Sequence, residues 1–156
     1  MGGWVDIPDR PFCILLKKEG KNMSKSAIYT SNTSAQALAV GSTISLGTII
    51  RRFGQNVRLS GDAIYISGAG YYDIDASFTV TATNAGTVEI YAMKDNVAIP
   101  GAIASVSLAV GDVATISINA LVREFGCCAD NNSPITFVIG GTAETITNAS
   151  VVVERI

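Results

Sequence analysis

The chain has 156 residues, 48% of them hydrophobic and 15% charged, with a net charge of -2 and no histidine. The length suits one domain with a full core. Without histidine there is no Ser-His-Asp or Cys-His nucleophile pair, no histidine general base and no histidine metal ligand, and the net charge argues against a basic surface that tracks nucleic-acid phosphates.

Residues 1–22 read differently from the rest. The run Phe12 to Leu16 is short and follows acidic and proline residues, so it does not make a signal peptide. The codons for Lys18-Glu19-Gly20 can spell AAGGAGG, a bacterial ribosome-binding sequence. Lys21 and Asn22 then space it from Met23. The expectation is a translated leader or disordered segment over 1–22, a biological start at Met23, and a single domain over 23–156 in a bacterial or bacteriophage gene.

From Ala27 onward the pattern is strands and turns. "SAQALAV" (34–40) is short enough for a strand or a loop. Ile44 to Arg52 is a β-branched run ended by Gly54, and Ala63 to Ser67 is a short strand. Tyr71 to Thr83 alternates without a break: Tyr72, Ile74, Ala76, Phe78 and Val80 form a core face, and Asp73, Asp75, Ser77 and Thr79 point the other way. "NAG" (84–86) turns into Thr87 to Lys94, where Tyr91 and Met93 are apolar enough to serve an interface. "KDN" (94–96) turns into Val97 to Ile99, which Pro100-Gly101 stops. Ile103 to Val110, a Gly111-Asp112 turn and Val113 to Val122 follow. A loop containing Gly126, Asp130, Asn131, Asn132 and Pro134 leads to Ile135 to Ile139, and Ala149 to Ile156 closes the chain. Short strands separated by Gly/Asn/Asp turns predict an all-β sandwich or barrel.

About 25% charged residues is usual for a soluble domain, so this chain has apolar surface to spare. No apolar run approaches the roughly 18 residues that span a bilayer, so membrane insertion is not expected. The surplus is expected to be buried against other copies of the chain. Cys13, Cys127 and Cys128 lack the paired spacing of a zinc set and read as small buried hydrophobes. Asp130-Asn131-Asn132 reads as turn chemistry.

The segments "SGAGYYDIDASFTV", "TVEIYAMKDNVAIPGA", "SLAVGDVATISI" and "ASVVVERI" occur in an order that resembles the jelly-roll superfamily of tumour necrosis factor and the complement globular heads. Within it they look most like bacterial members such as the C-terminal domain of the collagen-like exosporium glycoprotein. The likeness covers roughly Ile44 to Ile156. The chain departs from that pattern in having no Gly-X-Y collagen repeat and in carrying "FGCCADNNSP" (125–134). The resemblance implies a jelly-roll sandwich of two antiparallel sheets and a homotrimer. It places the outward face of Tyr71–Thr83 toward the three-fold axis.

Asp73, Asp75 and Ser77 would then meet their copies, with Tyr91 and Met93 as further interface residues. Asp73 and Asp75 from three chains would form an oxygen-only cluster suited to an axial cation such as Ca²⁺ or to a pH-sensitive contact. No other cofactor is expected, and two carboxylates on one strand without a cleft do not make a glycosidase. The functional expectation is a non-enzymatic structural module of a phage virion: a head fibre, a capsid decoration or a receptor-binding tip. Its partners would be capsid or tail proteins or a host surface glycan. The alternatives are a spore- or cell-surface protein and a carbohydrate-binding or signalling ligand.

Overall fold

The computed structural model describes residues 25–124 and 132–156. The leader expected over 1–22, the start at Met23, Cys127, Cys128 and the Asp130-Asn131 turn lie outside the described residues.

Alternating strands that bury one face each need a second layer to pack against. Among the described residues, eleven strands supply two such layers: β1 (Ala27–Asn32), β2 (Gln36–Leu38), β3 (Thr48–Phe53), β4 (Val57–Ser60), β5 (Ala63–Ser67), β6 (Gly70–Thr81), β7 (Gly86–Lys94), β8 (Val97–Leu108), β9 (Val113–Glu124), β10 (Asn132–Gly140) and β11 (Glu144–Arg155). One sheet runs β3-β1-β11-β6-β9, with β2 added on β11. The other runs β4-β5-β10-β7-β8. All recorded pairings are antiparallel. The chain folds as the jelly-roll sandwich expected from its sequence.

The core lies between the sheets. Ile74, Phe78 and Val80 of β6 meet Ile90, Phe137 and Ile139 from the second sheet in one buried cluster. Phe78 and Phe137 pack with ring centroids 5.3 Å apart and planes tilted by 55°, a favoured aromatic arrangement.

The structure corrects four readings. Ile44 to Arg52 is not one strand. Ile44 and Leu46 are fully buried, Ile44 donates its backbone N–H to the Phe137 carbonyl of β10, and β3 begins only at Thr48. Gly47 makes the change of direction. It has φ of 80°, and a Cβ there would lie 2.2 Å from the Ser31 carbonyl oxygen, so no other residue fits without moving the backbone.

Pro100-Gly101 does not stop β8. The strand lies at a sheet edge, where a residue without N–H is tolerated. A register shift between Tyr91 and Met93 absorbs the extra residues. Pro134 lies within β10 rather than in the preceding loop. β11 begins at Glu144, five residues earlier than expected from the apolar run. The shift between Ile146 and Asn148 interrupts its alternation, and this bulge hides the strand from a simple count. β4 was absent from the sequence reading; it has only four residues, with Val57 buried. "QAL" within 34–40 resolves as a strand.

The Lys94-Asp95-Asn96 turn is as expected. Asp95 and Asn96 have φ of 56° and 65°, the left-handed pair that matches hairpin twist.

Candidate functional surface

The outward face of the six-stranded sheet follows from its register. β6 is the second strand from one edge, between β11 and β9. One row across the sheet reads Phe53, Ala27, Glu154, Asp73, Leu121. The next reads Arg51, Tyr29, Val152, Asp75, Asn119. A third reads Thr48, Ser31, Ser150, Ser77, Ser117. Asp73, Asp75 and Ser77 therefore share one outward face, as the alternation implied.

The surroundings of the aspartates were not legible from β6 alone. Asp73 sits directly opposite Glu154, and like charges in such a pair repel. Asp75 accepts a hydrogen bond from the Asn119 side chain. Among the described residues, no group of three or more His, Cys, Asp or Glu in the single chain is arranged to hold a metal ion. An axial cation would therefore need carboxylates from more than one copy.

Apolar groups flank this acidic strip. Phe53 is 59% exposed, Leu121 58%, Tyr71 47% and Tyr29 37%. A cleft of about 250 Å³ is lined by Ala27, Ile28, Tyr29, Arg51, Phe53 and Val152. The Arg123 guanidinium lies 5.7 Å from the Tyr71 ring centre, within cation–π range. Every residue of β3 is exposed, so this edge of the face is uncovered in the single chain.

Tyr91 and Met93 are elsewhere. They point outward from β7 in the other sheet, on the opposite side of the sandwich from Asp73, Asp75 and Ser77. A Cβ added to Gly140 would come within 3.4 Å of the Tyr91 ring. Part of the Tyr91 ring is therefore covered by its own sheet.

Two buried acids escaped the sequence reading. Glu124 and Glu144 are each 2% exposed. Glu124 Oε1 accepts from Ser133 Oγ at 2.8 Å and lies 3.3 Å from Lys94 Nζ, tying β9, β10 and β7 together. Its inward position was readable, because Ile116, Ile118, Val122 and Glu124 share one face of β9. Glu144 Oε1 accepts from the Thr83 and Asn84 backbone N–H groups at 2.7 and 3.0 Å. This holds the β6–β7 turn onto β11.

Tyr72 is fully buried, and its hydroxyl donates to the Ser67 carbonyl at 2.6 Å. Burial pushes its pKa up from 10.0 to about 12; Arg155 opposes the shift and Glu124 adds to it. A folded-state value above the unfolded one favours the neutral phenol. The corresponding stability is present below pH 10 and is lost as pH rises toward 12. Tyr72→Phe is expected to flatten the fall in melting temperature across that window relative to the parent chain.

No family model matches the chain, and no curated protein matches it in sequence. Its fold does have solved counterparts. Murine APRIL, in its structure at pH 5.0, superposes with a TM-score of 0.61 at 8% identity, over 85% of this chain and 100% of that one. The Eiger TNF from S. frugiperda gives 0.61 at 6% identity, over 85% and 91%. PRD1 vertex protein P5 gives 0.56 at 12% identity, over 84% and 73%. The fold is the TNF-like jelly roll.

Proposed function

We propose that the chain is a non-enzymatic homotrimeric structural module that works outside the cell or on a virion. The observation that carries this reading is the outward face of the six-stranded sheet. There Tyr29 and Phe53 lie uncovered at a largely apolar cleft, with Leu121 uncovered on the far side of the acidic strip and Tyr71 at its end. Apolar patches of this kind mark contact surfaces, and the sequence resemblance implies three copies around an axis on this side of the sandwich. Ser31, Ser77, Ser117 and Ser150 form a row of small side chains that lets a neighbouring copy come close. Among the described residues, no helix is long and apolar enough to cross a membrane. Native mass spectrometry of the chain begun at Met23 tests the assembly: a three-copy ion is expected, and a single-copy ion at micromolar concentration overturns it.

Within this reading, the finer role is that of a phage virion component, a head fibre, decoration or receptor-binding tip. The likeness of the fold to a viral vertex protein supports it. Detection of the chain by peptide mapping of purified virions is the test; its confinement to the host envelope or spore would support the surface-protein reading instead.

Calcium belongs to this reading only as an axial ion bound by Asp73 and Asp75 of the three copies. The trimer is then expected to melt at a higher temperature in calcium than in chelator, and Asp73→Asn with Asp75→Asn is expected to abolish the difference. Equal melting in calcium and chelator would remove the ion.

A further inference from the structure

Assembly through the six-stranded sheet leaves one feature unused, at the end of the sandwich away from Ser26 and Arg155. Those two residues are hydrogen-bonded to each other. β11 runs its full 12 residues from Arg155 back to Glu144. At about 3.3 Å per residue, this puts Glu144 at the opposite end of the body.

A cleft of about 310 Å³ opens there. Leu38 and its neighbours Ala37 and Ala39 contribute apolar wall; Thr83, Asn84, Ala143, Glu144 and Thr145 complete the lining. Glu144 is 2% exposed. Its Oε1 accepts from the Thr83 backbone N–H, the Asn84 backbone N–H and, at 3.3 Å, the Thr83 hydroxyl. Its Oε2 is buried and has no hydrogen-bond partner. Native proteins leave few buried acceptors in this state, because the lost hydration is not replaced.

The remaining polar groups narrow the choice of ligand. The Thr83 hydroxyl is committed to Glu144, and the Asn84 Nδ2 donates to the Ala143 carbonyl at 2.8 Å. Their donors are used and lone pairs remain; the Thr145 hydroxyl is the one further side-chain donor in the lining. No lysine or arginine lines the cleft. The complementary ligand is rich in donors, positively charged and partly apolar.

We propose that this cleft binds an alkylammonium group. Its N–H donors would pair with Glu144 Oε2 and Asn84 Oδ1, and its methylenes would lie on Leu38, Ala37 and Ala39. A sugar diol could use the Thr145 hydroxyl as a donor, but it would leave the buried Glu144 carboxylate without a countercharge. A bare metal ion would leave the apolar side unused, and the described residues hold no cluster of three acidic ligands. Glu144 Oε2 is shielded in the free protein, so the lining side chains must part on entry. The ammonium can come from a lysine side chain of a partner protein or from a free diamine.

The test is titration of the isotope-labelled protein with n-butylammonium, followed by backbone amide shifts. Saturable shifts at Thr83, Asn84 and Glu144 are expected, with none from n-butanol. Glu144→Gln is expected to weaken binding by about tenfold or more, the loss of one hydrogen bond to a charged group. Leu38→Ser provides a second variant that leaves the Glu144 contacts in place, and is expected to weaken n-butylammonium but not ammonium itself. Capped lysine amide and putrescine are then compared. Tighter binding of the lysine assigns the source to a protein side chain; tighter binding of putrescine assigns it to a free diamine. Absence of saturable shifts, equal shifts from n-butanol, or shifts from calcium alone would overturn the proposal.

Discussion

Val152→Arg is expected to separate the proposed trimer into folded monomers. Val152 lies in the middle of the outward face, between Tyr29 on β1 and Asp75 on β6. In the single chain an arginine there meets the Asp75 carboxylate, an opposite-charge cross-strand pair that is favourable by roughly 0.2–1 kcal/mol. The fold is therefore expected to survive. In the proposed trimer the same change places three bulky guanidinium groups at a contact that must exclude water, where desolvating a charge is costly even when it is paired. Light scattering and circular dichroism together check both parts. Val97→Arg is the control: Val97 is 67% exposed at the β7–β8 turn, outside the six-stranded sheet, and its substitution is expected to leave the trimer intact.

The second large effect is expected inside one chain. Lys94→Met removes the cation that lies 3.3 Å from the Glu124 carboxylate and leaves the acid buried with Ser133. Breaking a buried pair on one side costs about 3–5 kcal/mol. Here the Lys94 side chain is 23% exposed, so a loss of about 2–3 kcal/mol is expected, allowing for solvent screening. Adding Glu124→Gln to Lys94→Met is expected to restore part of it, because the uncompensated charge is then gone. Urea denaturation of the parent, both single variants and the double variant checks the cycle. Additive losses would show that Lys94 and Glu124 do not act as a pair.

The legible parts of this fold were those with unbroken alternation. β6 could be read directly because every second residue from Tyr72 to Val80 is apolar, and all five are buried. The β7–β8 turn was readable from Asp95-Asn96. β8 and β11 were misread where a bulge shifts the period, since local alternation carries no information about an extra residue that the partner strand does not match. The start of β10 was misread because proline marks a loop in isolation; here the strand pairs Pro134 with Tyr65.

The outward surface was half legible. The sequence put Asp73, Asp75 and Ser77 on one face, and the structure brings them together. It could not show that Glu154 stands opposite Asp73, or that Phe53 and Tyr29 flank the strip, because those neighbours come from strands far away in the chain. Tyr91 and Met93 illustrate the converse. Their apolar character was visible, but which side of the sandwich β7 presents depends on the sheet to which it belongs. Glu144 gave the weakest signal, since the part of β11 that holds it, before the bulge, was not recognised.

In the proposed trimer, three copies meet through the face that carries Ser77. Spin labels at Ser77→Cys, in a background with Cys13, Cys127 and Cys128 replaced by serine, test it most directly through pulsed electron paramagnetic resonance. The expected result is a strong short-range coupling between labels on three chains, with labels at Met93→Cys distinctly farther apart. Uncoupled labels at Ser77, or shorter separations at Met93 than at Ser77, would contradict it.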